Sequence, residues 1–145
     1  MDHYTPESFT LTQSIGFAIN KARNMLVAEL DAALKDLGIT TQQMGILMSM
    51  RYGESRTPFE LSKLLSIDTG LMTRMLDKLE VKGLLDRSRS TEDRRVVNLT
   101  LTKEGKKIAE ELPHIVPHVL NKRLKGFSKS EFTELRRLLN KFVDA

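Results

Sequence analysis

The stretch from Asp68 to Gly83 constrains the fold more than any other part of the sequence. Its apolar side chains recur at the i, i+3, i+4 spacing that is typical of an amphipathic helix. Asp68 is a suitable N-cap, because its carboxylate can accept a hydrogen bond from a free N–H group in the first turn. Gly83 is a suitable end, since glycine adopts the left-handed cap conformation at little cost. The apolar residues of this predicted helix are Leu71, Met72, Met75, Leu76 and Leu79.

The opposite face of this predicted helix carries small and hydrogen-bonding residues. They are Thr69, Gly70, Thr73, Arg74, Asp77 and Lys78. The major groove of DNA admits one α-helix and presents base edges to it. This face therefore suits DNA recognition, although by itself the pattern also fits an ordinary solvated helix face.

A second helix is predicted immediately upstream. Thr57 and Glu60 have the spacing of a capping box, and Pro58 occupies the first helical position, which proline favours. The apolar spacing ends near Leu65, and Ser66 and Ile67 turn the chain into the next helix. Two short helices joined by a tight turn indicate a helix-turn-helix.

Two short strands are predicted downstream, over residues 84–89 and 96–100, with a polar loop between them. A helix-turn-helix followed by such a hairpin is a winged helix. The hairpin is basic: Arg94 and Arg95 are predicted at its tip. Arg87 and Arg89 alternate along the first strand, so they share one face and can both meet DNA phosphates. A hairpin that is basic only for solubility is the alternative.

The segment from Thr57 to Gly105 resembles the MarR family, the multiple-antibiotic-resistance-type transcription regulators of bacteria. The most specific matches are T-R-x-L-D-K-L-E-x-K-G-L, from Thr73 to Leu84, and D-R-R-x-x-x-L-T, from Asp93 to Thr100. These motifs lie in about a third of the chain. The resemblance implies a homodimer that binds a pseudo-palindromic operator in double-stranded DNA, most often as a repressor.

The motifs and the resemblance together give a set of candidate DNA-binding residues. Arg94 would enter the minor groove, whose negative potential attracts arginine. The resemblance also implies that Asp93 and Arg95 form an ion pair that braces the wing. The candidate DNA-binding residues are Thr57, Ser62, Thr69, Gly70, Thr73, Arg74, Lys78, Arg87, Arg89, Arg94 and Arg95.

The segments at both ends of the chain are predicted to be helical and to dimerise. A helix of roughly 25 residues, from Thr12 (or from Thr5) to Gly38, carries one apolar stripe. After the wing, Thr102 caps another helix, which we expect to kink or break between Glu111 and His118 because it contains two prolines. Ser128 and Glu131 then form a capping box for the last helix. The predicted dimer contacts are Ile15, Ile19, Phe132, Leu135, Leu139 and Phe142.

We therefore predict a mainly α protein: a winged helix-turn-helix with a two-stranded β-hairpin wing and N- and C-terminal dimerisation helices. The 145 residues would form a single unit, with the DNA-binding lobe at 40–101 and the dimerisation helices at 5–38 and 102–145. The net charge is +4, and residues 56–107 hold 12 lysines and arginines against 8 acidic residues, so the excess lies on the DNA-binding half.

Other classes of function find little support in the sequence. Cysteine is absent, which excludes disulfides and a thiol switch. No signal peptide and no apolar run long enough for a membrane span is present, so we expect a cytoplasmic protein without membrane contact. No catalytic constellation is visible, which argues against an enzyme, and no cofactor is expected. His114 and His118 are spaced i, i+4, but Pro117 between them favours structural or solvated histidines over a metal site.

Two questions stay open at the level of sequence. The resemblance implies that a small molecule, often aromatic and anionic, binds between the dimer helices and the lobe and acts as an effector. The polar candidates for this site are Asn20, Arg23, Asn24 and Arg51, for which simple solvent exposure is an equal alternative. A winged helix that contacts only other proteins, without sequence-specific DNA binding, is the alternative to the regulator.

Overall fold

The computed structural model describes residues 1–52 and 57–145. Gly53, Glu54 and Ser55 predict the end of the second helix from the sequence, and this prediction lies outside the described residues. Short 3₁₀-helices at Leu11–Gln13 and Lys35–Leu37 flank the first helix, and the wing strands form an antiparallel pair. The elements are α1 (Ile15–Leu34), α2 (Thr41–Arg51), α3 (Pro58–Leu65), α4 (Thr69–Val81), β1 (Leu85–Arg89), β2 (Val97–Leu101), α5 (Lys103–Leu124) and α6 (Lys129–Val143).

The first helix is shorter than predicted. Its N-cap is Ser14, whose Oγ accepts a hydrogen bond from the Phe17 backbone N–H at 3.1 Å, so the predicted starts at Thr5 and Thr12 are wrong. The α-helix begins only after Ser14 because Leu11–Gln13 forms a separate 3₁₀ turn before it. At the other end the chain tightens into the second 3₁₀ turn and stops at Gly38, which has a left-handed φ of 70°.

The helix-turn-helix of α3 and α4 forms as the caps predict. Thr57 Oγ1 accepts from the Glu60 backbone N–H at 3.2 Å, and Asp68 Oδ1 accepts from the Leu71 N–H at 3.0 Å. Ser66 has a left-handed φ of 52°, which is uncommon for a residue other than glycine and makes the turn between the two helices tight. The spacing of Thr40 and Gln43 also predicts a capping box, and this box is complete at the start of α2.

The wing is a regular antiparallel hairpin. Leu85 pairs with Leu101, Arg87 with Leu99, and Arg89 with Val97. Leu85 and Leu99 are buried against the helices, whereas alternate residues face outward, as the period of a strand requires. The strands begin one residue later than predicted, and the second also ends one residue later.

Helix α5 is continuous through Pro113 and Pro117, so of the kink or break predicted between Glu111 and His118 the break is wrong, and the kink stays a prediction. The prolines are four residues apart and lie on one face, where they remove neighbouring backbone donors. Leu112, Val116 and Val119 are buried, and α5 packs on α1 and α2. This tertiary packing holds the helix together where its local hydrogen bonds are weakened.

One leucine-rich core joins the first five helices to the wing. Its fully buried side chains come from α1, α2, α3, α4, β1 and α5: Leu34, Ile46, Leu47, Leu61, Met72, Leu76, Leu79, Leu85 and Leu112. In contrast, α6 has a complete capping box at Ser128 and Glu131 but buries none of its residues within the single chain. Of the helices that the structure describes, none is long and apolar enough to cross a membrane.

Candidate DNA-binding interface

The exposed face of α4 is the first part of the candidate site. Thr69, Gly70, Thr73, Arg74 and Lys78 are exposed, whereas the four core positions of the helix are buried, so the predicted division into two faces is confirmed. Thr73 Oγ1 donates to the Thr69 carbonyl at 2.9 Å. A Cβ at Gly70 would lie 3.2 Å from Asp68 Oδ1, so a side chain at this position would crowd the carboxylate that caps α4.

Two of the predicted DNA contacts on α3 have other roles. Ser62 is only 8% exposed, and among the described residues its Oγ has no hydrogen-bond partner. This burial contradicts its predicted place on the DNA-facing surface, because the side chain packs inside the helix-turn-helix. Thr57 is half-buried, and its hydroxyl is already used to cap α3.

Arg87 ties the wing to α4. Its Nη2 lies 2.5 Å from Asp77 Oδ1 and 3.1 Å from Glu80 Oε1. The hydrogen bonds to Glu80 and then Asp77 raise the pKa of Arg87, and the hydrogen bond from Arg87 lowers the pKa of Glu80. Two carboxylates therefore neutralise this guanidinium. The predicted contact of Arg87 with phosphate, beside Arg89, stays a prediction, and it would compete with these two ion pairs.

The tip of the wing is held by a cluster of local hydrogen bonds. Arg95 Nε and Nη2 each lie 3.1 Å from an oxygen of Asp93, whose Oδ1 also accepts from the Arg95 backbone N–H at 3.0 Å. These bonds lower the pKa of Asp93. The predicted ion pair of Asp93 and Arg95 is thus confirmed. Arg89 Nη1 donates to the Arg94 carbonyl at 2.8 Å and closes the loop across the hairpin.

Arg94 is presented by this braced loop. Its side chain is exposed, and within the part of the chain that the structure describes it forms no ion pair. Arg74 is likewise exposed on α4 without a carboxylate partner among the described residues. Two guanidinium groups are thus left without a neutralising carboxylate among the described residues, one on α4 and one on the wing. Such a pair is suited to binding a polyanion such as DNA.

The structure brings only some of the predicted effector residues together. Asn20 and Asn24 line an open groove of about 430 Å³ along α1, with Phe17, Lys21, Met25 and Ala28. Arg23 is not part of the groove lining. Arg51 lies over the ring of Tyr52, with its Cζ 4.7 Å from the ring centroid, and also hydrogen-bonds the Tyr52 hydroxyl. Arg23 and Arg51 therefore do not belong to this groove.

Metal binding finds no geometric support among residues 1–52 and 57–145. No group of three or more His, Asp or Glu side chains there could hold a metal ion. His114 and His118 are both exposed on α5.

Sequence reasoning missed the contacts that join elements. The partners of Arg87 lie seven and ten residues before it, across the turn from α4 into β1. Lys82 reaches back 44 residues to the Gly38 carbonyl and 39 residues to the Gln43 side chain. Helix or strand spacing gives no signal for either contact, since both depend on how the elements pack.

A helix-turn-helix with an exposed polar face, joined to a braced and basic hairpin, defines a winged-helix DNA-binding transcription regulator. Comparison with known proteins gives the family. The model of the MarR family matches residues 39–97, and the multiple antibiotic resistance protein MarR of Escherichia coli is 37% identical over 126 residues. That alignment covers 86% of this chain and 85% of the relative. The chain belongs to the MarR family.

One further relative and one solved structure agree with this assignment. The transcriptional repressor MdtR of Bacillus subtilis is 25% identical over 135 residues, covering 93% of this chain and 87% of MdtR. The crystal structure of a cysteine-to-serine mutant of Escherichia coli MarR in complex with operator DNA superposes with a TM-score of 0.83 at 33% identity. That match covers 93% of this chain and 99% of the other.

Proposed function

We propose that the protein is a homodimeric repressor that binds a pseudo-palindromic operator and is released by a small molecule. The observation that carries this proposal is the exposed face of α4 beside the braced wing, with Arg74 and Arg94 left without carboxylate partners among the described residues. In each half-site, α4 would enter the major groove and Arg94 the adjoining minor groove. Such a protein acts in the cytoplasm and needs neither a cofactor nor catalysis.

The apolar face of α6 supports the homodimer. Phe132, Leu135, Leu139 and Phe142 are 37% to 59% exposed in the single chain, and Leu138 lies among them. Ile15, at the start of α1, is 53% exposed, and Ile19 is partly exposed. Burying such a surface is favourable by roughly 25 cal/mol for each Å². A second copy of the chain would cover both ends, with the two lobes left free for DNA.

The groove on α1 supports an effector of a particular chemistry. Its apolar wall comes from Phe17, Met25 and Ala28, and its polar groups are the amides of Asn20 and Asn24 and the ammonium group of Lys21. An aromatic ring with a carboxylate would match this combination. In one chain the groove is open along a single helix, so the partner subunit would supply its cover.

Selection of bound sequences from a random duplex library tests the proposal. We expect an enriched inverted repeat, a complex of two chains per duplex, and weaker binding to random DNA at the same salt concentration. Addition of a panel of aromatic carboxylates should release the enriched duplex for at least one member. Equal, weak binding to every duplex would contradict the proposal and favour a winged helix that contacts only proteins.

A further inference from the structure

The chain passes from α1 to α2 through a short connection, which we call the α1–α2 junction (residues 35–40). It consists of one 3₁₀ turn, the left-handed Gly38, the buried Ile39, and Thr40 as the cap of α2. Helix α1 belongs to the part of the molecule proposed to dimerise, and α2 begins the proposed DNA-binding lobe. The angle at this junction therefore sets where the lobe lies relative to the dimer.

Lys82 connects the α1–α2 junction to the C-terminal end of α4. It follows the last residue of α4, and its ammonium group donates to the Gly38 carbonyl at 2.6 Å and to Gln43 Oε1 at 2.9 Å. The same Gln43 oxygen accepts the Thr40 backbone N–H at 3.1 Å, as part of the capping box of α2. Hydrogen bonds from an ammonium group are stronger than neutral ones. One side chain thus holds α4 against the junction.

Asp31 holds the junction from the other side. Its Oδ1 accepts from the Thr41 backbone N–H at 2.8 Å and from Thr41 Oγ1 at 2.7 Å. Asp31 lies on α1 and Thr41 is the first residue of α2, so these bonds join the proposed dimerisation helix directly to the lobe. The hydroxyl and then the backbone hydrogen bond from Thr41 lower the pKa of Asp31.

A change in the angle at the α1–α2 junction would move α4 relative to its half-site. Arg74 and Lys82 are eight residues apart in sequence, or about 12 Å along a helix. Two half-sites on one face of DNA lie about 34–36 Å apart, and one base-pair step is about 3.4 Å. With a lever of about 12 Å, a tilt of roughly 8° at each of the two junctions changes the distance between the two α4 helices by about 3.4 Å, which is one base-pair step.

We propose that Lys82 and Asp31 are positioning residues that fix the angle between α1 and the DNA-binding lobe and so determine which half-site spacing the dimer accepts. This inference rests on the proposed function. Neither residue lies on the exposed face of α4 that is proposed to contact the bases, which we call its reading face. Each residue therefore acts on DNA recognition through the placement of the whole lobe.

The test measures spacing preference separately from DNA affinity. The half-site enriched in the selection experiment is placed twice in a set of duplexes whose centre-to-centre distance changes by one base pair at a time. A further duplex carries a single half-site. Wild type, Lys82→Met and Asp31→Ala are titrated against all of them. Lys82→Arg retains donors, and Lys107→Met removes the same charge from the exposed side of α5 as a matched control.

Wild type should prefer one spacing. Lys82→Met should lower that preference over the neighbouring spacing about tenfold, since a hydrogen bond to a charged group contributes on that order. Asp31→Ala should act in the same direction, and Lys82→Arg should restore most of the preference. Affinity for the single half-site should stay within about twofold for every variant, because the reading face is unchanged.

Two results would overturn the inference. In the first, Lys82→Met keeps the full spacing preference of wild type. In the second, it loses affinity equally for the single half-site and for every spacing, which would make Lys82 a DNA contact or a simple support of α4. Wild type that binds no duplex specifically would overturn the proposed function, and this inference with it, so the two failures are distinguishable.

Discussion

The sequence places Arg74 on the polar face of a helix, and the structure shows it exposed on that face of α4. It lies on the exposed face of α4, one turn after the first residues of the helix, and Gly70 leaves space beside it: a Cβ at Gly70 would be 3.7 Å from Arg74 Nη1. A guanidinium at this point can read a guanine edge with two hydrogen bonds.

We expect Arg74→Ala to weaken operator binding by about 1–3 kcal/mol while changing binding to random duplex little. Fluorescence anisotropy at one fixed salt concentration measures both, with Lys107→Ala as the control for loss of an exposed charge. Equal loss on the two duplexes would make Arg74 a phosphate contact. No change on either duplex would mean that α4 does not read the DNA.

Gly105 lies where the wing meets α5, and no other residue fits there. A Cβ on this buried glycine would lie 2.0 Å from the Leu84 carbonyl oxygen. Backbone atoms cannot move aside as the end of a side chain can, so Gly105→Ala should destabilise the fold by about 1–3 kcal/mol or more. Gly45→Ala is the matched control, since its Cβ would only reach ordinary contact with Leu65 at 3.6 Å.

Urea unfolding of the two glycine variants provides the comparison. Gly45 lies within α2, where alanine is favoured over glycine by roughly 0.5–1 kcal/mol, so that variant should be as stable as wild type or more stable. A Gly105→Ala midpoint equal to that of Gly45→Ala would mean that the α5–wing contact can relax without cost.

At the scale of elements, the wing depends on a brace that does not itself need to touch DNA. Arg94→Ala should lower operator affinity and reduce the slope of its salt dependence by roughly 1, because one phosphate would no longer be neutralised. Asp93→Ala should reproduce part of the drop in affinity by loosening the tip. Glu92→Ala is its control, because it removes the same charge from an exposed neighbour that has no part in the brace.

Affinities measured at several salt concentrations decide the role of the wing. If the Arg94 variant binds like wild type at all of them, the wing does not contact DNA. If Glu92→Ala and Asp93→Ala have equal effects, charge alone explains the result and the brace is unimportant.

The pH dependence of the brace follows from the lowered pKa of Asp93. A carboxylate whose pKa is lowered by folding stabilises the fold above its unfolded pKa, which is about 3.9 for Asp. That contribution disappears only as the pH falls through the lowered, folded value. Operator binding should therefore not change through Asp93 between about pH 5 and 8, a range well above both values. A titration of affinity that follows an acidic group in this range, and disappears in Asp93→Ala, would contradict this.

The elements also show what the sequence could and could not predict. The caps of α3, α4 and α6, the helix faces and the hairpin were predicted correctly because they depend on residues within a few positions of one another, as at Ser128 and Glu131. The start of α1 was predicted wrongly, since the cap is Ser14 and not Thr5 or Thr12. Of the kink or break predicted at Pro113 and Pro117, the break does not occur, because packing on α1 and α2 outweighs a local weakening of hydrogen bonds. The burial of Ser62 and the ion pairs of Arg87 with the carboxylates of α4 depend on how separate elements pack, so local sequence patterns could not predict them.

For the whole molecule, the decisive prediction concerns α6. Leu135→Asp combined with Leu139→Asp would place charges in the proposed interface, so we expect insoluble or unfolded protein and no operator binding. Thr133→Asp with Asn140→Asp introduces the same charges on the opposite face of α6 and should leave the protein folded and active.

Sedimentation at micromolar concentration measures the outcome. A wild-type mass of 16.5 kDa would mean that the chain is a monomer. A well-folded Leu135→Asp/Leu139→Asp protein that still binds the full inverted repeat tightly would likewise show that the ends of the chain are not the dimer interface.

The separation of α6 from the reading face has a genetic consequence. All candidate DNA contacts lie between residues 57 and 95, whereas the exposed apolar face of the last helix begins at Phe132. A copy with a damaged wing would retain both ends and still pair with an intact copy, and the mixed pair would hold only one half-site. In a cell with both alleles, wing mutations should therefore be dominant, whereas mutations that remove α6 should be recessive.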